Sequence, residues 1–314
     1  MVEESRWGII YNAPRAAFKK RYDRWMKVRA YIDQKGVQYD FVQSESSDSV
    51  ERLANMLCDN GYHTIIVVGG DGALNQTINA VMRKADALPP DFALGVIPNG
   101  VGNDFARFWG VTIDDYKSTV DSLVAHRTRK IDVGECTYCD DGVEKKRYFL
   151  NCVNIGYGAR LVKISNDAQR HLGSRHLSFI PVLVRQIFER KSFNLKMLVD
   201  TEHIDGQYMS VCVSNCLGYG QTPNGIPYNG MIDISAITRP LWWQLFEGFW
   251  LLGKGRFLNY KNVHPYRAQS VVVEETGKAL VTLDSCELPE HTSLTPIKVA
   301  ILKEKINFIV SFGE

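Results

Sequence analysis

Residues 64–75 read T-I-I-V-V-G-G-D-G-A-L-N, and this stretch decides the fold. Its first five residues are apolar or β-branched with no polar alternation, the pattern of a strand buried on both faces and therefore of a parallel sheet covered by helices. Gly69, Gly70, Asp71 and Gly72 form the turn that follows, and Leu74, Ile78 and Val81 then fall at helical spacing. Glycines at a strand-to-helix turn let the backbone approach a phosphate, and the helix N-terminus offers unpaired N–H groups and a positive dipole end. Asp71 is suited to holding a metal or orienting a hydroxyl. A plain turn uses the same residue types, so this motif alone leaves binding and simple chain reversal both open.

A second copy of the arrangement follows. Residues 94–98, L-G-V-I-P, are another buried strand, ending in Asn99, Gly100, Val101, Gly102, Asn103 and Asp104 before a short helical stretch at 105–109. Two neighbouring strands thus end in glycine-rich turns at their carboxyl ends, where open α/β sheets bind ligands. Neither G-x-x-x-x-G-K-[ST] nor a G-x-G-x-x-G after the first strand occurs, which excludes a P-loop and a dinucleotide fingerprint.

Working outward, residues 7–11 (W-G-I-I-Y) predict a strand, and Phe18, Tyr22, Trp25 and Val28 predict a helix over 18–31. Gly36 precedes a strand at 39–42. Ser47 and Asp48 are candidate N-caps for a helix through Val50, Leu53, Ala54 and Leu57 that stops near Asn60-Gly61. After residue 131 the pattern changes to short strands broken by Gly, Asn and Asp, among them 130–136, 146–155, 208–215 and 279–284, which argues for a β-rich sandwich or barrel. The expected organisation is a doubly wound α/β nucleotide-binding domain over 1–130 and a β-rich domain over 131–314, with room for the last segment to return to the first domain.

Composition narrows the function. The chain has 314 residues, 45% hydrophobic and 23% charged, which suits globular folding. Lys and Arg number 37 against 35 Asp and Glu, so no net field by itself gathers nucleic acid or an anionic membrane, and phosphate binding has to be local. Seven cysteines, odd in number and scattered, suit a reducing compartment. Cys136 and Cys139 have the spacing of half a zinc site, but no second pair answers them, and two cysteines on opposite faces of a strand is the simpler reading. The acidic first residues and the lack of an apolar run of about 20 residues predict a cytoplasmic protein.

These residues resemble the diacylglycerol kinase catalytic-domain superfamily, which includes soluble bacterial lipid kinases and sphingosine kinases. That family shows G-G-D-G-T-x-N-E, P-x-G-T-x-N-D-F-A, N-x-x-G-x-G-x-D and a late D-G-E. This chain has G-G-D-G-A-L-N-Q, P-N-G-V-G-N-D-F-A-R, N-C-V-N-I-G-Y-G-A and D-S-C-E in the same order. The opening I-Y-N-A-P and the later S-N-C-L-G-Y-G-Q-T-P and N-G-M-I-D-I are similar to further family segments.

The resemblance implies an N-terminal nucleotide domain, a C-terminal β-sandwich with the active site in the cleft between them, and transfer of the γ-phosphoryl group of ATP, with Mg²⁺, to the hydroxyl of a lipid, diacylglycerol-like in the first instance. Carried over by position, Asn12, Gly69, Gly70, Asp71, Gly72 and Asn75 line the nucleotide phosphates, and Gly100, Gly102, Asn103 and Asp104 complete the cradle. Ser44 borders the base. Asp71, Asp284 and Glu287 are the catalytic candidates, one of the last two taking the substrate proton; no side chain is assigned to a metal.

Several positions depart from the pattern. Ala73 and Val101 replace threonines, Gln76 an acid, Gly158 and Asn229 aspartates, and D-S-C-E stands for D-G-E. A hydrogen bond to a charged phosphate contributes about 1.5–3 kcal/mol, so the lost hydroxyls bear on turnover. A degenerate relative that binds nucleotide or lipid without transfer, and an NAD kinase, therefore stand beside the lipid kinase as alternatives. The partners expected are a lipid and transient peripheral contact with a membrane; the sequence leaves room for a homodimer. For membrane contact the candidate is the segment holding Trp242, Trp243, Phe246, Phe249 and Trp250 with Lys254 and Arg256, although an amphipathic helix packed in the core has the same spacing. A second apolar stretch, 177–188, is suited to capping a lipid cleft or, equally, to ordinary core packing.

Overall fold

The computed structural model of the chain describes residues 6–12, 18–45, 49–100, 102–172, 191–289 and 294–311. Its contacts divide into two units, Met1–Ile131 with Glu304–Glu314, and Asp132–Lys303.

The first unit alternates strand and helix: β1 (Trp7–Asn12), α1 (Phe18–Gln34), β2 (Tyr39–Ser44), α2 (Val50–Asp59), β3 (Thr64–Gly69), α3 (Asp71–Arg83), β4 (Ala93–Pro98), α4 (Asp104–Phe108) and α5 (Tyr116–Ala125). Parallel pairing joins β2 to β1, β1 to β3 and β3 to β4. Every residue of β3 and β4 is buried, as an unalternating apolar run requires.

Successive strand residues point to opposite faces, and helices cover both. Ile9, Ile66 and Ile97 pack with Trp25, Val28 and Ile32 of α1 and with Val120 and Leu123 of α5. On the other face Gly8 lies against Leu57 of α2, and α2 packs beside α3. The doubly wound α/β reading is the observed fold. Ser49 occupies the N-cap of α2 without a side-chain cap; the expected caps Ser47 and Asp48 lie outside the described residues.

The second unit is built from antiparallel strands: β5 (Thr128–Asp140), β6 (Val143–Phe149), β7 (Cys152–Gly156), β8 (Phe193–Val199), β9 (Glu202–Ser214), β10 (Ile232–Thr238), β11 (Val263–Ala268), β12 (Ser270–Glu275), β13 (Val281–Leu283) and β14 (Cys286–Glu287). They are interrupted by α6 (Tyr157–Leu172) and α7 (Gln244–Gly253), and β15 (Ile297–Ile309) closes the chain. The pairing runs β14, β13, β7, β9, β8, β12, β15, with β10 and β11 branching from β9.

Val153, Val211, Val213, Leu195, Met197, Val271 and Val299 form much of its core. Alternation holds in β8 but fails in β7 and the second half of β9, where every residue is buried. The reason is α6, which packs on β7 and β9 and covers the face that alternation would leave to water. Cys136 is buried and Cys139 half-exposed in β5. Among the described residues no cluster of three or more metal-ligating side chains occurs.

The last strand belongs to both units: residues 297–300 pair with β12, and Asn307 and Phe308 pair in parallel with Ala93 and Leu94 of β4. Unit one is therefore a parallel sheet of order β2-β1-β3-β4-β15.

Candidate functional site

The two glycine-rich turns meet. β3 and β4 are neighbours in register, Gly69 opposite Pro98, and the Asn99 amide donates to the Gly69 carbonyl at 2.8 Å. A Cβ built on Gly70 would lie 3.0 Å from the Gly100 Cα, and one built on Gly100 would strike Gly70 Cα outright. Only glycine at both positions allows this approach, since the obstruction is backbone and cannot rotate away. The first turn of α3 begins there with Asp71, Gly72 and Ala73, whose amides precede the first intrahelical bond, Leu74 N–H to Gly70 O.

Asp71 ties the second turn to the first. Its carboxylate accepts from the amides of Asp104 (3.1 Å) and Phe105 (3.3 Å), the first residues of α4. It thus takes the place of an N-cap supplied by another segment of the chain. Asn103 sits in the left-handed region at φ 53°, which Asn tolerates better than most residues, and its side chain closes the loop on itself. The Gly100 amide donates to its Oδ1, and its Nδ2 donates to the Gly100 carbonyl, both at 3.1 Å.

Gly102 is closely flanked by acids: a Cβ there would come within 2.8 Å of Asp71 Oδ2 and 3.0 Å of Asp104 Oδ2. Asp104 in turn accepts from Arg107, which also donates to the Gly102 carbonyl at 2.9 Å.

Asn12 and Ser44 lie opposite each other at the carboxyl ends of β1 and β2, and the Ser44 hydroxyl donates to Asn12 Oδ1 at 2.8 Å. Asn75 is buried one turn into α3 and accepts from Asn79 Nδ2 through its Oδ1 and its carbonyl. Gln76, where the pattern has an acid, accepts from the Glu51 amide at the start of α2. Sequence reasoning missed two cations here. Arg24 of α1 donates to Asn99 Oδ1 at 3.1 Å, and Arg107 holds the Gly102 turn. Arg107 closes the quoted N-D-F-A-R motif and was open to notice; nothing local to Arg24 signals a partner 75 residues away.

The other expected acids lie in the second unit. Asp284, 1% exposed and at φ 48°, starts the tight turn between β13 and β14. Its two oxygens accept from the amides of Leu150 (3.0 Å), Asn151 (2.9 Å) and Cys152 (2.9 Å). Burial, with a hydrogen bond to neighbouring Cys212, pushes the Cys152 thiol up, and the Asp284 charge adds to this, so that thiol stays protonated.

Ser285 does not have a positive φ, so this turn has no need of the glycine in D-G-E. The pairing of Leu283 with Cys286 and of Thr282 with Glu287 puts Cys286 directly after the turn and Glu287 one residue further, on the opposite face. Glu287 is half-exposed, with Asn166 Nδ2 3.5 Å away; the same amide donates to the Ser285 carbonyl at 2.9 Å.

Two departures have local causes. A Cβ at Gly158 would press to 2.9 Å on Asn154 Oδ1 and 3.1 Å on Ser210 Oγ, so an aspartate does not fit without displacing that polar pair. Asn229 accepts from the Met231 amide through Oδ1, the bond an aspartate would make in the same turn.

Against this geometry, the family model of the diacylglycerol kinase catalytic domain matches residues 6–136, and that of the YegS C-terminal NAD kinase beta sandwich-like domain matches residues 151–308. A diacylglycerol kinase of Mycobacterium tuberculosis is 24% identical over 286 residues, covering 88% of each chain. Among solved structures, a diacylglycerol kinase candidate from Bacillus anthracis superposes with a TM-score of 0.73 at 20% identity, covering 99% of this chain and 98% of that one. Yeast NADH kinase superposes with a TM-score of 0.54 at 8% identity, over 99% and 85%; the likeness is one of fold.

Proposed function

The chain belongs to the diacylglycerol kinase catalytic-domain superfamily, and from that premise we propose that it transfers the γ-phosphoryl group of ATP to the hydroxyl of a diacylglycerol-like lipid. The observation that carries the reading is the contact of the two glycine turns, Gly70 on Gly100, with Asp71 binding the second turn to the first. Nothing in packing alone calls for two strand ends to be stripped of side chains at one point; a ligand that needs backbone donors does.

The residues fit a nucleotide's phosphates. The first-turn amides of α3 and the bare backbone at Gly70, Gly100 and Gly102 would hold them, with Asn12 and Ser44 at the adjoining strand ends toward the base. Asp71 and Asp104 both lie against Gly102 and would repel a bare phosphate, so the arrangement calls for a cation beside them, and Mg²⁺ is commonly held by one or two carboxylates plus phosphate oxygens. Bound there, Mg–ATP supplies the phosphoryl group and neutralises its charge. Phosphoryl transfer is largely positioning and electrostatics, and the chain's part is to hold the cradle rigid through Asp71, Asn103 and Arg107.

Of the two late acids, Asp284 has most of its accepting capacity committed to three amides, whereas Glu287 retains the freedom to take the proton of a hydroxyl. A second reading, nucleotide binding without transfer, is favoured by that commitment of Asp284 together with Cys286 in the D-G-E position and by the loss of hydroxyls at Ala73 and Val101.

Transfer of radiolabelled γ-phosphate to diacylglycerol, phosphatidylglycerol, sphingosine, ceramide and NAD separates these readings. Label in diacylglycerol is the expected result. Label in NAD alone would make the chain a dinucleotide kinase; measurable ATP binding with no labelled product would leave the non-transferring reading.

A further inference from the structure

The helix α7 is apolar on two faces and buried on one. Gln244, Gly248 and Leu251 face inward, Leu251 joining Met209, Ile237, Phe257, Tyr260 and Val263 in a small core, and Gly248 seats the helix against the Tyr260 ring. Trp243, Phe246 and Trp250, at intervals of three and four residues, form a second stripe that faces outward. Phe246 is 73% exposed, Trp250 61% and Trp242 56%, and Leu241 is exposed beside them. The Trp242 and Trp243 rings meet edge to face at 5.6 Å. Large apolar side chains exposed singly are ordinary; five in one segment of ten residues mark a contact surface. The side chain of Phe249 and the stretch 177–188 lie outside the described residues.

We propose that this face docks onto the surface of an anionic lipid bilayer. The occupant follows from the charge around the stripe. Arg239, Lys254, Arg256 and Lys261 are all exposed and form no ion pair among the described residues, while Glu247 is the one acid in the segment. The whole chain carries a formal net charge of only +2, so this excess is local.

A second copy is a poor occupant: a two-fold contact sets the same patch against itself and brings like cations together. A layer of anionic headgroups pairs with those cations while the aromatic rings enter the headgroup and acyl boundary, where Trp is enriched. Helix length agrees with lying on the surface, since no described helix is long and apolar enough to cross a membrane. The inference rests on the exposed face of α7 alone and stands whether or not the chain transfers phosphate.

The test is co-sedimentation of the full chain, without ATP, with vesicles of equal phosphatidylglycerol and phosphatidylcholine and with vesicles of phosphatidylcholine alone. Binding to the mixed vesicles is expected to weaken at least tenfold in the triple variant Trp243→Ser, Phe246→Ser, Trp250→Ser. In Lys254→Glu with Arg256→Glu, the preference for anionic vesicles should disappear. Brominated acyl chains should quench the wild-type tryptophan emission, because Trp7, Trp25 and Trp109 are buried and the other three lie on or beside this stripe.

Equal vesicle binding by the triple variant, no binding by the wild type, or a concentration-dependent dimer that the triple variant abolishes would each overturn the proposal. Transfer to a dispersed short-chain diacylglycerol keeps the two readings apart. Its absence, with vesicle binding intact, sinks the kinase and spares the docking face; its persistence in a triple variant that no longer binds vesicles supports both.

Discussion

Asp71 and Asp284 are both buried carboxylates that accept backbone amides, yet their surroundings differ in a way that separates binding from architecture. Around Asp71 the chain removes side chains: Gly70, Gly100 and Gly102 bring bare backbone to within contact of one another and of the acids, and the Asp71 carboxylate accepts from two amides of a five-residue helix. Around Asp284 the chain fills space: Leu150 and Cys152 are in the core, and three amides converge on one carboxylate. A buried acid is therefore weak evidence of catalysis until its partners are counted. Phosphate chemistry needs exposed backbone beside the charge, which side chains would cover, and a hairpin anchor needs the reverse.

The comparison is most open to breakage at Asp284. Asp284→Ala leaves three buried amides without acceptors at about 1–3 kcal/mol each, so a loss of about 4 kcal/mol or more is expected in urea unfolding. Glu287→Gln should leave the unfolding midpoint unchanged and lower kcat. A folded, inactive Asp284→Ala would reverse the assignment of roles.

Next in size, Asp71→Asn keeps one accepting oxygen and removes the charge, and should lower kcat by about 10²–10³ with a smaller change in stability. Unaltered transfer would mean that the phosphate site lies elsewhere.

The smallest effect sharpens the contrast. Gly100→Ala forces the two turns apart, which should cost about 1–3 kcal/mol of stability and raise the KM for ATP; circular dichroism melts and initial rates check both. Equal KM values would reduce the glycine contact to packing.

What was legible in the sequence was what depends on neighbours along the chain. The buried strand at 64–68, the glycines after it and the parallel strand at 94–98 each carry their own local pattern, so the α/β architecture and the position of both turns could be read. The strands of the second unit were visible for the same reason. Contacts across the chain were not: nothing near Asp284 points to amides more than 130 residues earlier, nor near Arg24 to Asn99.

The α7 segment shows a different limit. Helical spacing marks Trp243, Phe246 and Trp250 as one stripe and Leu251 as part of another, but a helix apolar on both sides does not state which side the core will take. Likewise nothing local to β7 says that both of its faces are buried, because the covering α6 is a tertiary fact.

The last strand has a consequence for biosynthesis. The β4 edge of the first unit is completed by Asn307 and Phe308, near the carboxyl end of the chain as given, while the rest of that unit ends at Ile131. A ribosome releases residues 1–131 long before their final strand exists, and that sheet waits with an open edge through the synthesis of the entire intervening unit. Excising the first unit by cutting at residue 131 would reproduce the nascent intermediate rather than the mature domain; an isolated version needs 304–311 grafted back after a linker.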